Sequence, residues 1–351
     1  MNNNFWKGKR VLVTGDSGFK GAWLSLILSM HGAKVQGISS SKFSCNNELY
    51  SFLGINKISN TVDCDIRDFD GVLNTFNSFN PEIVFHLAAQ PLVRQSYIDP
   101  VTTYEVNVMG SMSILEAVRQ SSSVQSAVIV TTDKCYKNNE WDWGYRENDP
   151  MGGHDPYSSS KACAELLTQS YQQSFFNDHS NSTGVSTVRA GNVIGGGDFS
   201  EDRLIPDLYR AISTNSKLLL RNPLATRPWQ HVFEPISGYL KVAEGLFESG
   251  AQANDCWNFG PNISDIRTVQ EITELFLACW GIKDIIDFDT STQPHEAKSL
   301  SLDISKAKFQ LHWSPQWNLE NAMEKTAIWY KACFEDGDIL KISTEQIEEY
   351  Y

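Results

Sequence analysis

Apolar residues along the chain fall alternately into short unbroken runs and runs of helical spacing. Residues 9–15 read KRVLVTG, with Val11, Leu12 and Val13 contiguous before a glycine, the pattern of a strand covered on both faces. Next, Ala22, Leu24, Ile27 and Leu28 recur at helical spacing, and His31-Gly32 closes the segment like a C-cap. KVQGIS (34–39) is again strand-like. Strand, glycine turn, helix and strand make one βαβ unit. The alternation continues with a strand in NTVDCDIRD (60–68), a helix in GVLNTFNSF (71–79), a buried strand in EIVFHLAA (82–89), a long helix over 101–120 and another buried strand in SAVIVTTD (126–133). This repeat predicts an α/β fold with a doubly wound parallel sheet.

After about residue 190 the texture changes. Residues 190–206 and 221–232 are rich in Gly, Pro and Arg and read as loops. A helix is expected over 238–250 and a strand over 255–260. The tail mixes a helix (269–280), a short strand (285–289) and a last helix (318–335). The expected organisation is a main domain from 1–190 and 229–262, beside a smaller mixed α/β C-terminal lobe from 191–228 and 263–351.

Composition narrows the function. The chain has 351 residues, 41% of them apolar, and a formal net charge of −13 with no basic stripe. That argues against nucleic-acid binding, although a few arginines in a pocket can still hold an anionic small ligand. The seven cysteines include no Cys-x-x-Cys pair, so neither a metal site nor a disulfide framework is expected. MNNNFWKGKR lacks an apolar signal core, and AWLSLILSM is too short and too polar to span a bilayer. A soluble cytoplasmic protein, with no membrane partner, is expected.

Two motifs carry chemistry. Gly15, Gly18 and Gly21 are spaced G-x-x-G-x-x-G between a strand and a helix, with Ser17, Phe19 and Lys20 in the same turn. Glycines there let backbone amides approach a pyrophosphate at the helix N-terminus, so a dinucleotide site is expected. The second strand ends in Ser39-Ser40-Ser41-Lys42 rather than in an acid. Serines bond a ribose, while serine plus lysine also accept a 2′-phosphate, so the pattern leaves NAD and NADP both open. Asp65 and Ile66, after the third strand, are placed to meet the adenine.

The second motif is HDPYSSSK (154–161), which puts Tyr157 and Lys161 on one helix face. A free phenol titrates near about 10. A neighbouring ammonium and a nicotinamide's positive charge favour the phenolate, which then takes a hydroxyl proton as hydride leaves the same carbon. Thr132, at the end of the preceding strand, is placed to hydrogen-bond that hydroxyl.

TGDSGFKG, DIRD, HLAAQ, VNVMGS, TTDKCY, DPYSSSKACAE and RAGNVIGGGD occur in that order over most of the chain and resemble the extended short-chain dehydrogenase/reductase superfamily. GFKGAW, HLAAQPLVRQSY, the Trp-rich stretch from TTDKCY to SSSK, DRLIPD and RPWQHVFEP resemble CDP-glucose 4,6-dehydratases within it. The resemblance implies a Rossmann domain, a nicotinamide cofactor reduced and reoxidised within each turnover, and a homodimer paired through the helices over 101–119 and 158–175. It also implies a nucleotide-sugar substrate such as CDP-glucose. It adds Leu87, Ala88, Ala89, Gln90, Asn107 and Thr131 to the cofactor site. It gives Gln90, Arg94, Asn192, Arg203, Leu204, Arg227 and His231 to the substrate, with packing an equal alternative for His231.

Elimination across C5 and C6 of a hexose needs two proton transfers beyond oxidation at C4. The pair after Thr132 is Asp133-Lys134, where dTDP-sugar dehydratases resemble one another in carrying Asp-Glu. By resemblance Asp133 is the acid at O6 and Lys134 the C5 base. A dehydratase of another nucleotide sugar, a 4-epimerase and a non-catalytic NAD-binding regulator are the alternatives.

Overall fold

Val11 to Val13 form an unbroken apolar run because the strand they build is covered on both sides. Val11 and Val13 enter one hydrophobic cluster with Ile83, Phe85, Val128 and Val130, while Leu12 enters another with Val84, Ala127 and Ile129. The computed structural model describes residues 4–41, 47–177, 183–283, 285–288 and 299–351. The sheet comprises β1 (Arg10–Thr14), β2 (Lys34–Ser39), β3 (Ser59–Asp63), β4 (Ile83–His86), β5 (Ser126–Val130), β6 (Gly184–Ala190) and β7 (Cys256–Phe259). The spatial order is β7-β6-β5-β4-β1-β2-β3, and every neighbouring pair is parallel. The order reverses between β1 and β4. Beyond the carboxyl ends of those strands lies the crevice where such sheets bind ligands.

Connecting helices cover both faces. Phe19–Met30 follows the glycine turn and is buried from Phe19 to Leu28 except at Lys20. The long helix expected over 101–120 begins at Pro100 and passes through a widened π-turn at Glu105–Gly110 before continuing as Ser111–Gln120. Its neighbour Pro156–Phe175 spans the connection from β5 to β6. Outward-facing apolar side chains on this pair include Val101, Met109, Leu166 and Phe175. Leu115 and Ala162 on the same helices are buried against the chain's own core.

The C-terminal region adds short strand pairs: Val193–Ile194 with Gln230–His231, Thr226–Arg227 with Arg267–Thr268, and Leu218–Leu220 with Ile286–Phe288. Two expectations need correction here. The segment read as loop up to Pro206 contains the start of a helix, Leu204–Ser213, which buries Ile205, Leu208 and Ala211. Pro206 lies in its first turn, where no N–H is needed. Leu319–Phe334 is not the last helix, because Ile339–Tyr350 follows. Its start is capped by Asp338, whose carboxylate accepts the Lys341 N–H at 3.0 Å.

Cys64, Cys135, Cys163, Cys256, Cys279 and Cys333 are free thiols; Cys45 and Lys42 lie outside the described residues. Among the described residues no helix is long and apolar enough to cross a membrane, and no group of three His, Cys, Asp or Glu is placed to hold a metal.

Candidate active site

The crevice is a cleft of about 800 Å³ running from the glycine turn across the ends of β1, β4 and β5 to the loops after β6. At one end Gly15, Ser17, Gly18, Phe19, Lys20 and Gly21 line it. A Cβ on Gly21 would come within 2.0 Å of the Gly15 carbonyl oxygen, so only glycine lets the turn fold this tightly under the helix. The N–H groups of that helix's first turn have no intrahelical acceptor and suit a pyrophosphate. Ser39, Asp65, Ile66, Leu87, Ala88, Ala89 and Gln90 continue the wall. Asp65 is gripped by Arg67, with Nη2 to Oδ2 at 2.7 Å. The arrangement fits a dinucleotide.

Asn107 is a correction. It is wholly buried and does not line the cleft. Its Oδ1 accepts the Gln90 N–H at 2.8 Å, and its Nδ2 donates to the Gln90 carbonyl at 3.1 Å and to Ser160 Oγ at 2.9 Å. It therefore clamps the loop after β4 to the helix carrying Tyr157. His86 is a second such clamp that the sequence did not reveal, between Thr14 Oγ1 at 2.7 Å and Ser111 Oγ at 3.0 Å. Burial pushes its imidazole down to about 3, so it stays neutral.

At the centre of the cleft are Thr131, Thr132, Lys134, Tyr157 and Lys161. Asp155 starts the tyrosine helix: its carboxylate accepts the Ser158 N–H at 2.9 Å, and Pro156 takes the first helical position. Tyr157 therefore sits in the first turn, hydrogen-bonded to Thr132, and Lys161 one turn on donates from Nζ to the Val130 carbonyl at 3.2 Å. The expected ionised phenol is not what the protein alone provides. Burial, opposed by the bond to Thr132 and reinforced by the charge of Asp133, pushes Tyr157 up to about 12. Burial likewise pulls Lys161 down to about 8. Desolvation exceeds the attraction that spacing alone suggested.

Asp133 borders the cleft without lining it. It begins a short 3-10 turn, Asp133–Cys135. Its Oδ1 accepts from Thr132 Oγ1 at 3.0 Å and lies 3.6 Å from Lys134 Nζ, while Oδ2 has no hydrogen-bond partner among the described residues. Lys20 adds a charge that the glycine motif concealed. Burial, then Arg203, Lys161 and Lys134, pull its ammonium down to about 7 against the opposing charge of Asp133. This crowding of cations suits an anionic ligand.

The far end carries Arg94, Asn192, Arg203, Leu204, Arg227 and Trp229. Arg203 Nη1 pairs with Asp198 at 2.7 Å, and Arg94 with Asp202 at 3.6 Å. Asn192 Oδ1 and Trp229 Nε1 are buried polar atoms without hydrogen-bond partners among the described residues. His231 belongs elsewhere. It is wholly buried outside the cleft, accepting the Phe233 N–H at 3.3 Å and packing edge-on to Phe233 and Trp317. Burial holds it near about 3, so it is a neutral core residue and not a substrate ligand.

A glycine-turn dinucleotide cleft with a Thr–Tyr–Lys centre defines the extended short-chain dehydrogenase/reductase class. The chain belongs to the GDP-mannose 4,6-dehydratase family, whose sequence profile matches residues 12–326. It is 47% identical to a CDP-glucose 4,6-dehydratase of Salmonella typhimurium over all of this chain and 98% of that protein. It is 25% identical to a dTDP-D-glucose 4,6-dehydratase of Homo sapiens over 93% of this chain and 91% of that one. The fold is shared with a UDP-glucose 4-epimerase of Thermotoga maritima (TM-score 0.80, 19% identity, 92% and 99% covered). It is shared equally with a dTDP-glucose 4,6-dehydratase double mutant of Streptomyces venezuelae crystallised with NAD (TM-score 0.81, 22% identity, 94% and 99% covered).

Proposed function

We propose that this protein is a NAD-dependent CDP-glucose 4,6-dehydratase, a hydro-lyase that releases CDP-4-keto-6-deoxyglucose and water. The observation that carries it is the Asp133-Lys134 pair directly after Thr132, with Lys134, Tyr157 and Lys161 lining one cleft and Asp133 buried beside Lys134. An epimerase needs no acid–base pair there. The similarity to the Salmonella protein supports the cytidine base and glucose.

The glycine turn with Ser39, Asp65 and Lys161 would hold NAD, which would supply a reversible hydride acceptor, so that C4 is a ketone while the chain's own groups act. Tyr157 takes the O4 proton, with Thr132 orienting the hydroxyl and Lys161 stabilising the phenolate. The nicotinamide's positive charge and the substrate hydroxyl offset the burial that holds Tyr157 at about 12. With the proton of the Asp133–Lys134 pair on the carboxyl, Lys134 as the free amine removes the C5 proton, acidified by the ketone, and Asp133 delivers its proton to the departing O6. Lys134 then returns a proton to C5 as the hydride taken from C4 would be restored at C6, which completes the 6-deoxy sugar. Arg203, Arg227, Arg94 and Asn192 hold the diphosphate and sugar, the arginines offering forked donors to phosphate oxygens. Leu204 and Gln90 complete that wall. The protein acts in the cytoplasm as a homodimer through the outward apolar side chains of the 100–120 and 156–175 helices, upstream of 3,6-dideoxyhexose formation for lipopolysaccharide O-antigen.

Incubation with CDP-, dTDP-, UDP- and GDP-glucose tests this. A 4-keto-6-deoxy product, read by its near-ultraviolet absorbance in alkali, is expected with CDP-glucose foremost. No such product from any of the panel would overturn the dehydratase reading, and preference for another base would overturn the substrate.

A further inference from the structure

Dinucleotide folds usually place a carboxylate at the end of the second strand, where it binds the ribose 2′-hydroxyl and repels a 2′-phosphate. Here β2 ends in Ser39, but a carboxylate lies beneath it. Asp16, in the glycine turn, is wholly buried. Its Oδ1 accepts from Ser39 Oγ at 2.6 Å and its Oδ2 from Thr61 Oγ1 at 2.5 Å. Gly37 makes the room, because a Cβ there would lie 1.9 Å from Asp16 Oδ2. Ser39 Oγ also accepts the Ser17 N–H at 3.2 Å. Ser39 lines the cleft; Asp16 does not.

A hydroxyl has one proton and two lone pairs. In Ser39 the proton goes to Asp16 and one lone pair to Ser17, which leaves the cleft a single acceptor. A ribose hydroxyl can donate to it. A 2′-phosphate is itself an anionic acceptor, and would also meet the charge of Asp16 directly behind. We infer that Asp16, acting through Ser39, is the positioning residue by which this protein accepts NAD and rejects NADP. The inference rests on the dehydratase reading only in that the cleft holds a nicotinamide dinucleotide.

Calorimetric titration of the wild type, Asp16→Asn and Ser39→Ala with NAD⁺ and with NADP⁺ tests it. The wild type is expected to bind NAD⁺ roughly tenfold or more tighter than NADP⁺, the worth of one hydrogen bond next to a charge. In Asp16→Asn the amide can donate to Ser39 Oγ, which frees the serine proton for the cleft and removes the charge. Most of the discrimination should vanish, chiefly through tighter NADP⁺ binding. Ser39→Ala should weaken NAD⁺ binding and leave NADP⁺ nearly unaffected. An unchanged preference in a folded Asp16→Asn protein overturns the assignment. If that variant does not fold, an unchanged preference in Ser39→Ala does so. A wild type that binds neither nucleotide sinks the dehydratase reading itself, whereas NAD⁺ binding with the same preference in every variant sinks this inference alone.

Discussion

Asp133 and Lys134 are joined by a 3.6 Å ion pair but occupy opposite surroundings, the carboxylate fully buried and the lysine side chain 27% exposed on the cleft. The wetter partner, once it has passed its proton to the carboxyl, is the one suited to collect a proton from carbon and give it back. The buried partner is suited to a single directed delivery. Lys134→Ala should therefore lower formation of the keto-deoxy sugar by about 10²–10⁴-fold. A C5-deuterated substrate recovered from that variant should keep its label, where the wild type loses it to solvent. Label loss at the wild-type rate would remove Lys134 from the C5 step.

Lys161 makes a prediction about stability as well as rate. Its ammonium is held at about 8 against an ordinary 10.5. Between those values the unfolded chain binds a proton that the folded protein lacks, so stability rises with pH across that window. Below it, the buried charge costs roughly 3 kcal/mol. Lys161→Met should therefore resist urea better than the wild type at pH 7, with the advantage fading towards pH 10, while turnover falls by about 10²-fold or more.

Behind the catalytic strand end, Arg189 and Glu165 form a buried pair at 2.7 Å, with Glu165 also accepting from Thr131 and Thr187. Arg189→Met leaves Glu165 charged and buried, and should cost about 3–5 kcal/mol in urea denaturation. Replacing both residues by methionine should restore much of that loss.

His231→Ala should leave the KM for the nucleotide sugar unchanged and lower stability by about 2–3 kcal/mol, the cost of a core cavity. A raised KM with unaltered stability would return His231 to the substrate site.

The sequence revealed whatever depends on neighbours along the chain. The glycine spacing, the Tyr157–Lys161 turn and the Thr132-Asp133-Lys134 run are each local, and the strand–helix alternation gave the sheet. What it hid depends on distant partners. Asp16 takes its meaning from residues 39 and 61, which only the β1–β2–β3 pairing brings together. Arg227 and His231 are four residues apart in a Pro-interrupted segment, yet one lines the cleft and the other turns into the core. The helix at Leu204–Ser213 was masked by Pro206 and its Gly- and Arg-rich approach. The raised Tyr157 reflects burial, a property of the folded surroundings rather than of spacing.

Thr131 and Thr132 are adjacent, and their hydroxyls diverge: one is anchored to Glu165 and the Val188 carbonyl, the other to Asp133 and Tyr157. For laboratory evolution this gives the enzyme a hidden second front. Changes at positions 165, 187 or 189 would surface in screens as altered turnover although none of these residues lines the cleft. A library seeking new ligand preference is better confined to positions that line the cleft, such as 94, 192, 203 and 227.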